Sequence, residues 1–99
     1  MKGILHQLDK AFENRIRLGI MSTLVVNDWV DFNSLKSLLG VTDGNLASHI
    51  TALEKKGFLE VRKRFIGKKT NTSFKVTEKG REAFEAHIQA LEQLLKPLS

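Results

Sequence analysis

Apolar residues recur every three or four positions over the first part of the chain, which is the spacing of one face of an α-helix. The residues with this spacing are Ile4, Leu5, Leu8, Phe12, Ile16, Ile20 and Leu24. The pattern predicts an amino-terminal helix within about residues 1–26, with an allowed break near Glu13 because Asn14 could cap a new helix. Residues 29–32 follow as a short extended piece.

Residues 33–56 carry the pattern of two short helices joined by a tight turn. Asn33 is a suitable N-cap for the first helix and Gly40 a suitable left-handed C-cap, while Thr42 is placed to cap the second. The predicted inward faces are Leu35, Leu38 and Leu39 in the first helix, and Leu46, Ile50 and Leu53 in the second. The link is too short for easy antiparallel packing, so the pair is predicted to cross as a helix-turn-helix.

Residues 58–77 alternate apolar and polar positions, as strands with one solvated face do. A loop over residues 67–71 would join two such strands into a hairpin. Thr77 is placed to cap a last helix within about residues 78–96. The predicted fold is α+β but mostly α. It is a single domain, residues 1–99, containing in order a helix, a short strand, two helices, a two-stranded hairpin and a helix.

The net charge of +5 is concentrated in one segment of the chain. Residues 1–40 carry a net charge of +1, residues 41–80 carry +5 and residues 81–99 carry −1. The window from Arg62 to Lys75 holds six basic side chains and no acidic one. Such concentration is typical of a site for a polyanion, although basic surface hairpins also occur in proteins that bind no nucleic acid.

The sequence gives little support for catalysis, a metal site or a membrane span. It contains no cysteine, which excludes disulfides and thiolate ligands and is consistent with the cytoplasm, where we expect the protein to act. His6, His49 and His87 are far apart in sequence, and no glycine-rich phosphate loop or activated nucleophile is evident. No apolar run reaches the ~18 residues of a membrane span, and no signal peptide is evident. We therefore expect neither an enzyme nor a bound cofactor or metal.

Five segments, in unbroken order, resemble the winged helix-turn-helix regulators of the MarR and ArsR type. NRIRLGI at residues 14–20 is similar to an arginine motif in the first helix of those proteins. VTDGNLASHI at 41–50 and LEKKGF at 53–58 resemble their recognition helix and its exit. FIGKK at 65–69 and TEKGR at 77–81 resemble their wing and the start of their last helix. The resemblance covers nearly the whole chain and is more specific than an isolated motif.

This resemblance implies a bacterial or archaeal transcriptional regulator that binds double-stranded DNA as a homodimer. Ala47 departs from the pattern, because many relatives have serine there, and it removes a hydroxyl near the expected DNA backbone. The sequence names no operator, no small-molecule effector and no direction of regulation.

The DNA contacts are predicted on the outward face of the second helix of the pair and on the hairpin. Short polar side chains there could hydrogen-bond base edges in the major groove, and neighbouring lysines could bind phosphates. The predicted contacts of the helix pair are Lys36, Thr42, Gly44, Asn45, Ser48, His49, Thr51 and Lys55. In the hairpin they are Lys63 and Arg64, which would meet phosphates, and Lys68, Lys69, Thr70 and Asn71, placed to enter the minor groove.

The first and last helices carry apolar stripes longer than a small domain can cover, which predicts a two-fold dimer interface. The predicted interface residues are Ile4, Leu5, Leu8, Phe84, His87, Ile88, Leu91, Leu94 and Leu95. Two alternatives stay open: a winged-helix module that binds an acidic protein, and a protein that binds structured RNA. The polar outer face of the second helix argues against the protein-binding module.

Overall fold

Residues 3–98, which the computed structural model describes, form four α-helices and three strands. Two 3-10 turns, Ile4–Gln7 and Lys10–Phe12, precede helix α1 (Arg15–Val25). Strand β1 (Val30–Asp31) leads directly into α2 (Phe32–Leu39) and then α3 (Asp43–Lys55). Strands β2 (Leu59–Ile66) and β3 (Lys69–Val76) form a hairpin, called the wing below, which is followed by α4 (Glu78–Leu94).

The amino-terminal segment is not the continuous helix that its apolar spacing predicts from Ile4 onward. Asp9 accepts a hydrogen bond from the Ala11 N–H at 2.8 Å and thereby caps the second 3-10 turn. Asn14 accepts the N–H groups of Ile16 and Arg17 at 2.9 and 3.1 Å, so that α1 begins at Arg15. Short side chains that bind nearby N–H groups compete with a continuing helix. The allowed break near Glu13 is therefore confirmed, and the single helix is wrong.

The helix pair begins earlier than predicted. Asp31, and not Asn33, is the N-cap of α2, because the Asp31 carboxylate accepts the Ser34 N–H at 2.6 Å. The predicted caps at Gly40, with a φ of 66°, and at Thr42, which accepts the Asn45 N–H at 3.2 Å, are confirmed.

The inward faces of α2 and α3 agree with the pattern except at one leucine. The buried members are Leu35, Leu46, Ile50 and Leu53. Leu39 is half-buried, and its side chain lies so close to Gly19 of α1 that a Cβ there would approach it to 2.8 Å. Leu38 is 66% exposed, so its predicted place in the core is wrong: α2 is short and its packed face narrow.

The sheet has the order β1-β3-β2 with both pairings antiparallel. The β2–β3 register runs from Leu59 opposite Val76 to Ile66 opposite Lys69, which leaves a turn of only two residues. Gly67 has a φ of 65°, a left-handed value that suits a tight hairpin turn. The predicted loop over 67–71 is therefore too long, because pairing continues to the turn and residues 69–71 belong to β3.

The start of α4 is fixed against the base of the wing. Thr77 donates its hydroxyl proton to the Gly57 carbonyl at 2.6 Å and accepts the Gly80 N–H at 3.0 Å, as its predicted capping role requires. A Cβ at Gly80 would overlap the Phe58 carbonyl oxygen, so only glycine allows this approach. The orientation of α4 relative to the wing therefore depends on two residues at its first turn.

Candidate nucleic-acid interface

Helix α3 is divided lengthwise into a buried face and a solvated face. Leu46, Ile50 and Leu53 are at most 5% exposed and attach the helix to the core. The opposite face presents short or flexible polar residues, all of them exposed: Thr42, Gly44, Asn45, Ser48, Thr51 and Lys55. Because α3, a helix of 13 residues, packs on the core through its buried face, its polar face is accessible to a partner.

The first turn of α3 is braced from α2. The ammonium nitrogen of Lys36 lies 2.7 Å from a carboxylate oxygen of Asp43, and both side chains are substantially exposed. Such an exposed pair contributes little to stability, roughly 0–1 kcal/mol. A phosphate contact by Lys36, which stays a prediction, would therefore require the lysine to share or leave the Asp43 carboxylate.

His49 has a different environment from the other predicted contacts. It is half-buried, and its ring Nδ1 accepts the Nε–H of Arg17 at 3.0 Å, which joins α3 to α1. A neutral ring that accepts at Nδ1 carries its proton on Nε2, and only that edge remains to donate to a ligand. Arg17 was not predicted as part of the site, although it belongs to the arginine motif of the first helix.

The wing has two chemically distinct faces because successive strand residues point to opposite sides. Leu59 and Val61 face the core with Phe74 and Val76, and the same face continues outward through Lys63, opposite Thr72. We call this the groove face. The other side, the back face, carries Arg62 and Arg64 on β2 and Lys69, Asn71, Ser73 and Lys75 on β3. The predicted wing contacts are thus divided between the two faces.

A groove of about 460 Å³ separates α3 from the groove face of the wing. Its apolar lining is Phe32, Ala47, Ile50, Val61 and Phe74, and its polar lining is Asn33, Thr51, Glu54, Lys63, Thr70 and Thr72. Asn71, which strand alternation assigns to the back face, also borders the groove. Four of these polar residues were predicted contacts: Thr51, Lys63, Thr70 and Asn71. Asn33, Glu54 and Thr72 were missed, because the register that brings them together is not visible in a helix or strand pattern taken alone.

Trp29, which precedes β1, packs against the back face of the wing. The guanidinium of Arg62 lies 4.2 Å from the centroid of the Trp29 ring, and Lys75 forms an ion pair of 3.4 Å with Asp28. Asn71 accepts the Ser73 hydroxyl proton at 2.9 Å on the same side. Arg62 and Lys75, both members of the basic window, therefore support the wing from behind and do not line the groove.

Comparison with known proteins identifies the family to which this arrangement of helices and wing belongs. A family model described as a winged helix DNA-binding domain matches residues 16–95. The chain belongs to this family. The resemblance inferred from the sequence segments is confirmed, as is the winged helix-turn-helix fold.

Individual proteins and solved structures are similar to this chain over most of its length. Uncharacterized protein MJ0432 of Methanocaldococcus jannaschii is 40% identical over 87 residues, which cover 88% of this chain and 95% of that protein. A transcriptional regulator homologue from Pyrococcus horikoshii has a TM-score of 0.84 at 30% identity, with 93% of each chain covered. Sco3205, a MarR family transcriptional regulator from Streptomyces coelicolor solved in complex with DNA, shares the fold at 18% identity and a TM-score of 0.67, covering 91% of this chain and 65% of that one.

Two of the predicted interface residues belong instead to the core of the winged helix domain. Phe84 and His87 are each only 4% exposed. The broken amino-terminal segment folds back over α4, so that the Phe12 ring meets both of their rings with centroid distances of 5.2 and 5.4 Å. The Asp9 N–H donates to His87 Nδ1 at 3.0 Å. Their assignment to a dimer interface is therefore wrong, because the amino-terminal segment buries both side chains within one subunit.

The remaining predicted interface residues lie at or near the surface. Leu5, Leu94 and Leu95 are 71%, 46% and 85% exposed. Ile4, Leu8, Ile88 and Leu91 are half-buried. The first 3-10 turn contacts α4. We use the name terminal patch for the half-buried and exposed apolar residues in and next to these two elements: Ile4, Leu5, Leu8, Leu91, Leu94, Leu95 and Leu98.

Two further observations concern other kinds of site. Among residues 3–98, no group of three or more His, Asp or Glu side chains is arranged to hold a metal ion. None of the helices that the structure describes is long and apolar enough to cross a membrane.

Proposed function

We propose that this winged helix protein is a homodimeric regulator of transcription that binds double-stranded DNA sequence-specifically. Helix α3 would lie in the major groove, and the wing would lie at the adjacent minor groove. The observation that supports this most is the solvated polar face of α3 beside a groove whose far wall is a basic wing. A regulator of this kind acts in the cytoplasm.

The chemistry of α3 suits base recognition. Asn45 is exposed in the first turn of the helix, and an asparagine amide can form two hydrogen bonds with adenine. Ser48 and Thr51 offer hydroxyls, and Gly44 allows a close approach because nothing lies within 4 Å of the position of its missing Cβ. These residues occupy neighbouring turns, which matches the few base pairs that one helix contacts.

The groove between α3 and the wing suits one strand of the duplex backbone. Lys63 supplies a charge there, and Asn33, Thr70 and Thr72 supply neutral donors, a mixture that is typical of phosphate and sugar contacts. Glu54, the acidic residue of the lining, would repel a phosphate that came too close. It could instead accept a hydrogen bond from the amino group of a cytosine. The groove would therefore fix the register of α3 on the duplex.

The terminal patch supports two-fold association. Leu5 of the first 3-10 turn and Leu94 and Leu95 at the end of α4 are exposed, and these two elements are in contact. Together they would form an apolar surface of the kind that soluble monomers avoid. A two-fold dimer would present two α3 helices, so its site would be a pseudo-palindrome with half-sites about 34–36 Å apart, or a multiple of that distance. Leu95→Asp should convert the dimer to a monomer in light scattering, whereas Leu38→Asp, at an exposed leucine of α2, should not.

Selection of duplexes from a random pool tests the proposal. We expect enrichment of an inverted repeat, and Asn45→Ala should abolish the preference for particular bases at one position of each half-site. An enriched pool without a common motif would contradict sequence-specific recognition. Structured RNA that competes with the selected duplex at equal concentration would favour the RNA-binding alternative.

A further inference from the structure

The tip of the wing carries two large apolar side chains in solvent. Phe65 is 79% exposed and Ile66 is 59% exposed, and they are followed at once by the Gly67–Lys68 turn. Single exposed apolar residues are common on protein surfaces. Two adjacent ones at the end of a hairpin are an aggregation hazard, which proteins usually reduce with charged or polar residues at such edges. Among residues 3–98 no neighbouring element covers these two side chains, so only a partner could bury them.

The two side chains point to opposite sides of the hairpin. Phe65 pairs with Thr70 and lies on the groove face, whereas Ile66 pairs with Lys69 and lies on the back face. The tip is therefore apolar on both of its faces. A protein-binding surface would gather apolar groups on one face, whereas this arrangement suits insertion between two walls.

The charges around the tip favour a nucleic acid as that partner. Lys63, Arg64, Lys68 and Lys69 surround the two apolar residues, and no acidic residue lies between positions 62 and 75. The minor groove of DNA combines a strongly negative potential with walls made of deoxyribose rings, which are largely apolar. A second copy of this chain would bring the same positive charge and would be repelled.

The wing is thicker than the minor groove is wide, so its entry would have to widen the groove. The minor groove is roughly 6 Å wide, whereas a pleated hairpin with side chains on both faces is roughly 10 Å thick. We propose that Phe65 and Ile66 form a wedge that opens the minor groove and bends the duplex where the wing enters. This inference rests on the proposed binding of duplex DNA. Such a wedge would prefer flexible pyrimidine–purine steps, because these are the easiest to unstack.

The bend angle tests the wedge directly. Energy transfer between dyes at the two ends of a selected duplex would be measured with the wild type and with Phe65→Ala/Ile66→Ala. We expect the wild type to bend the duplex, and the double variant to lose most of the bend and to bind roughly ten-fold more weakly. Its salt dependence should be unchanged, because neither residue is charged. Lys68→Ala/Lys69→Ala should instead reduce the salt dependence.

Val26→Ala is the matched control, because Val26 is also apolar and 77% exposed but lies at the end of α1. It should bend DNA as the wild type does. A double variant that bends the duplex to the same angle as the wild type would overturn the wedge and leave the proposed function standing. A wild type that binds no duplex would overturn both. Since both residues are exposed, the circular dichroism spectrum of the double variant should match that of the wild type.

Discussion

The helix pair with its wing and the terminal region formed by the first residues and α4 differ in how their structures are determined. In the helix pair and wing, side chains that bind adjacent backbone groups mark the boundaries, such as Asp31 and Thr42, and Gly67 marks the turn. In the terminal region, one apolar stripe has two environments, since Phe84 of α4 is buried and Leu95, which directly follows that helix, is exposed. Boundaries are thus set by local contacts, even where the predicted α2 cap, Asn33, was two residues from the observed one, Asp31. The environment of an apolar stripe depends instead on which segment folds over it.

The largest expected effect on stability comes from a substitution in the buried part of the terminal region. Phe84→Ala should lower the free energy of unfolding by roughly 3–5 kcal/mol, because it removes a ring packed against Phe12 in the core. Urea denaturation followed by circular dichroism would measure this. Leu95→Ala, at an 85% exposed position, is the control. At protein concentrations low enough to keep the protein monomeric, it should change that free energy by less than about 0.5 kcal/mol. Equal effects would contradict the division of the stripe.

The next effect concerns the contact between the two regions. Gly80→Ala should destabilise the protein by about 3 kcal/mol, because the new methyl group overlaps the Phe58 carbonyl and forces α4 away from the wing. Gly44→Ala is the matched control: it adds the same methyl group to a helix where nothing lies within 4 Å. It should stabilise the fold by up to roughly 1 kcal/mol. Thermal melts of the two variants should therefore shift in opposite directions.

These two predictions also show how much of the structure could be obtained from the sequence. The order of the elements, the caps at Asn14, Thr42 and Thr77 and the inner face of α3 follow from local hydrogen bonding and periodicity. The fold of residues 9–14 across α4 does not, because it depends on contacts between residues more than 70 positions apart, such as Asp9 with His87. The position of Glu54 in the groove lining could not be predicted either, because it also depends on contacts between residues far apart in the sequence.

A third prediction separates the tasks of α3 and the wing. Asn45→Ala should weaken binding to the selected duplex by about 1–3 kcal/mol and leave binding to unrelated duplexes nearly intact, because it removes hydrogen bonds to bases. Lys68→Ala/Lys69→Ala should weaken binding to all duplexes alike, because phosphates carry no sequence information. Lys10→Ala, an exposed lysine outside the wing, is the control for the loss of charge. Fluorescence anisotropy with both duplexes would show whether the two variants differ in this way.

The smallest effect tests the link that holds α3 to α1. A double-mutant cycle of Arg17→Ala and His49→Ala should give a coupling energy of about 1 kcal/mol, as for one hydrogen bond between partly buried side chains. Urea denaturation of the four proteins would measure it. The cycle of Arg17→Ala with Ser48→Ala should give no coupling, because Ser48 lies on the exposed face. A coupling near zero in both cycles would mean that His49 is free to face a ligand.

The measurement that tests the central claim most directly is the salt dependence of duplex binding by the wild-type protein. Two subunits that contact roughly six to ten phosphates should give a linear fall of log K with log salt, with a slope of about −0.9 for each phosphate. We expect a slope between roughly −5 and −9 over about 50–200 mM salt. Binding that is absent at low salt, or that does not change over this range, would contradict the assignment of α3 and the wing as a DNA-binding surface.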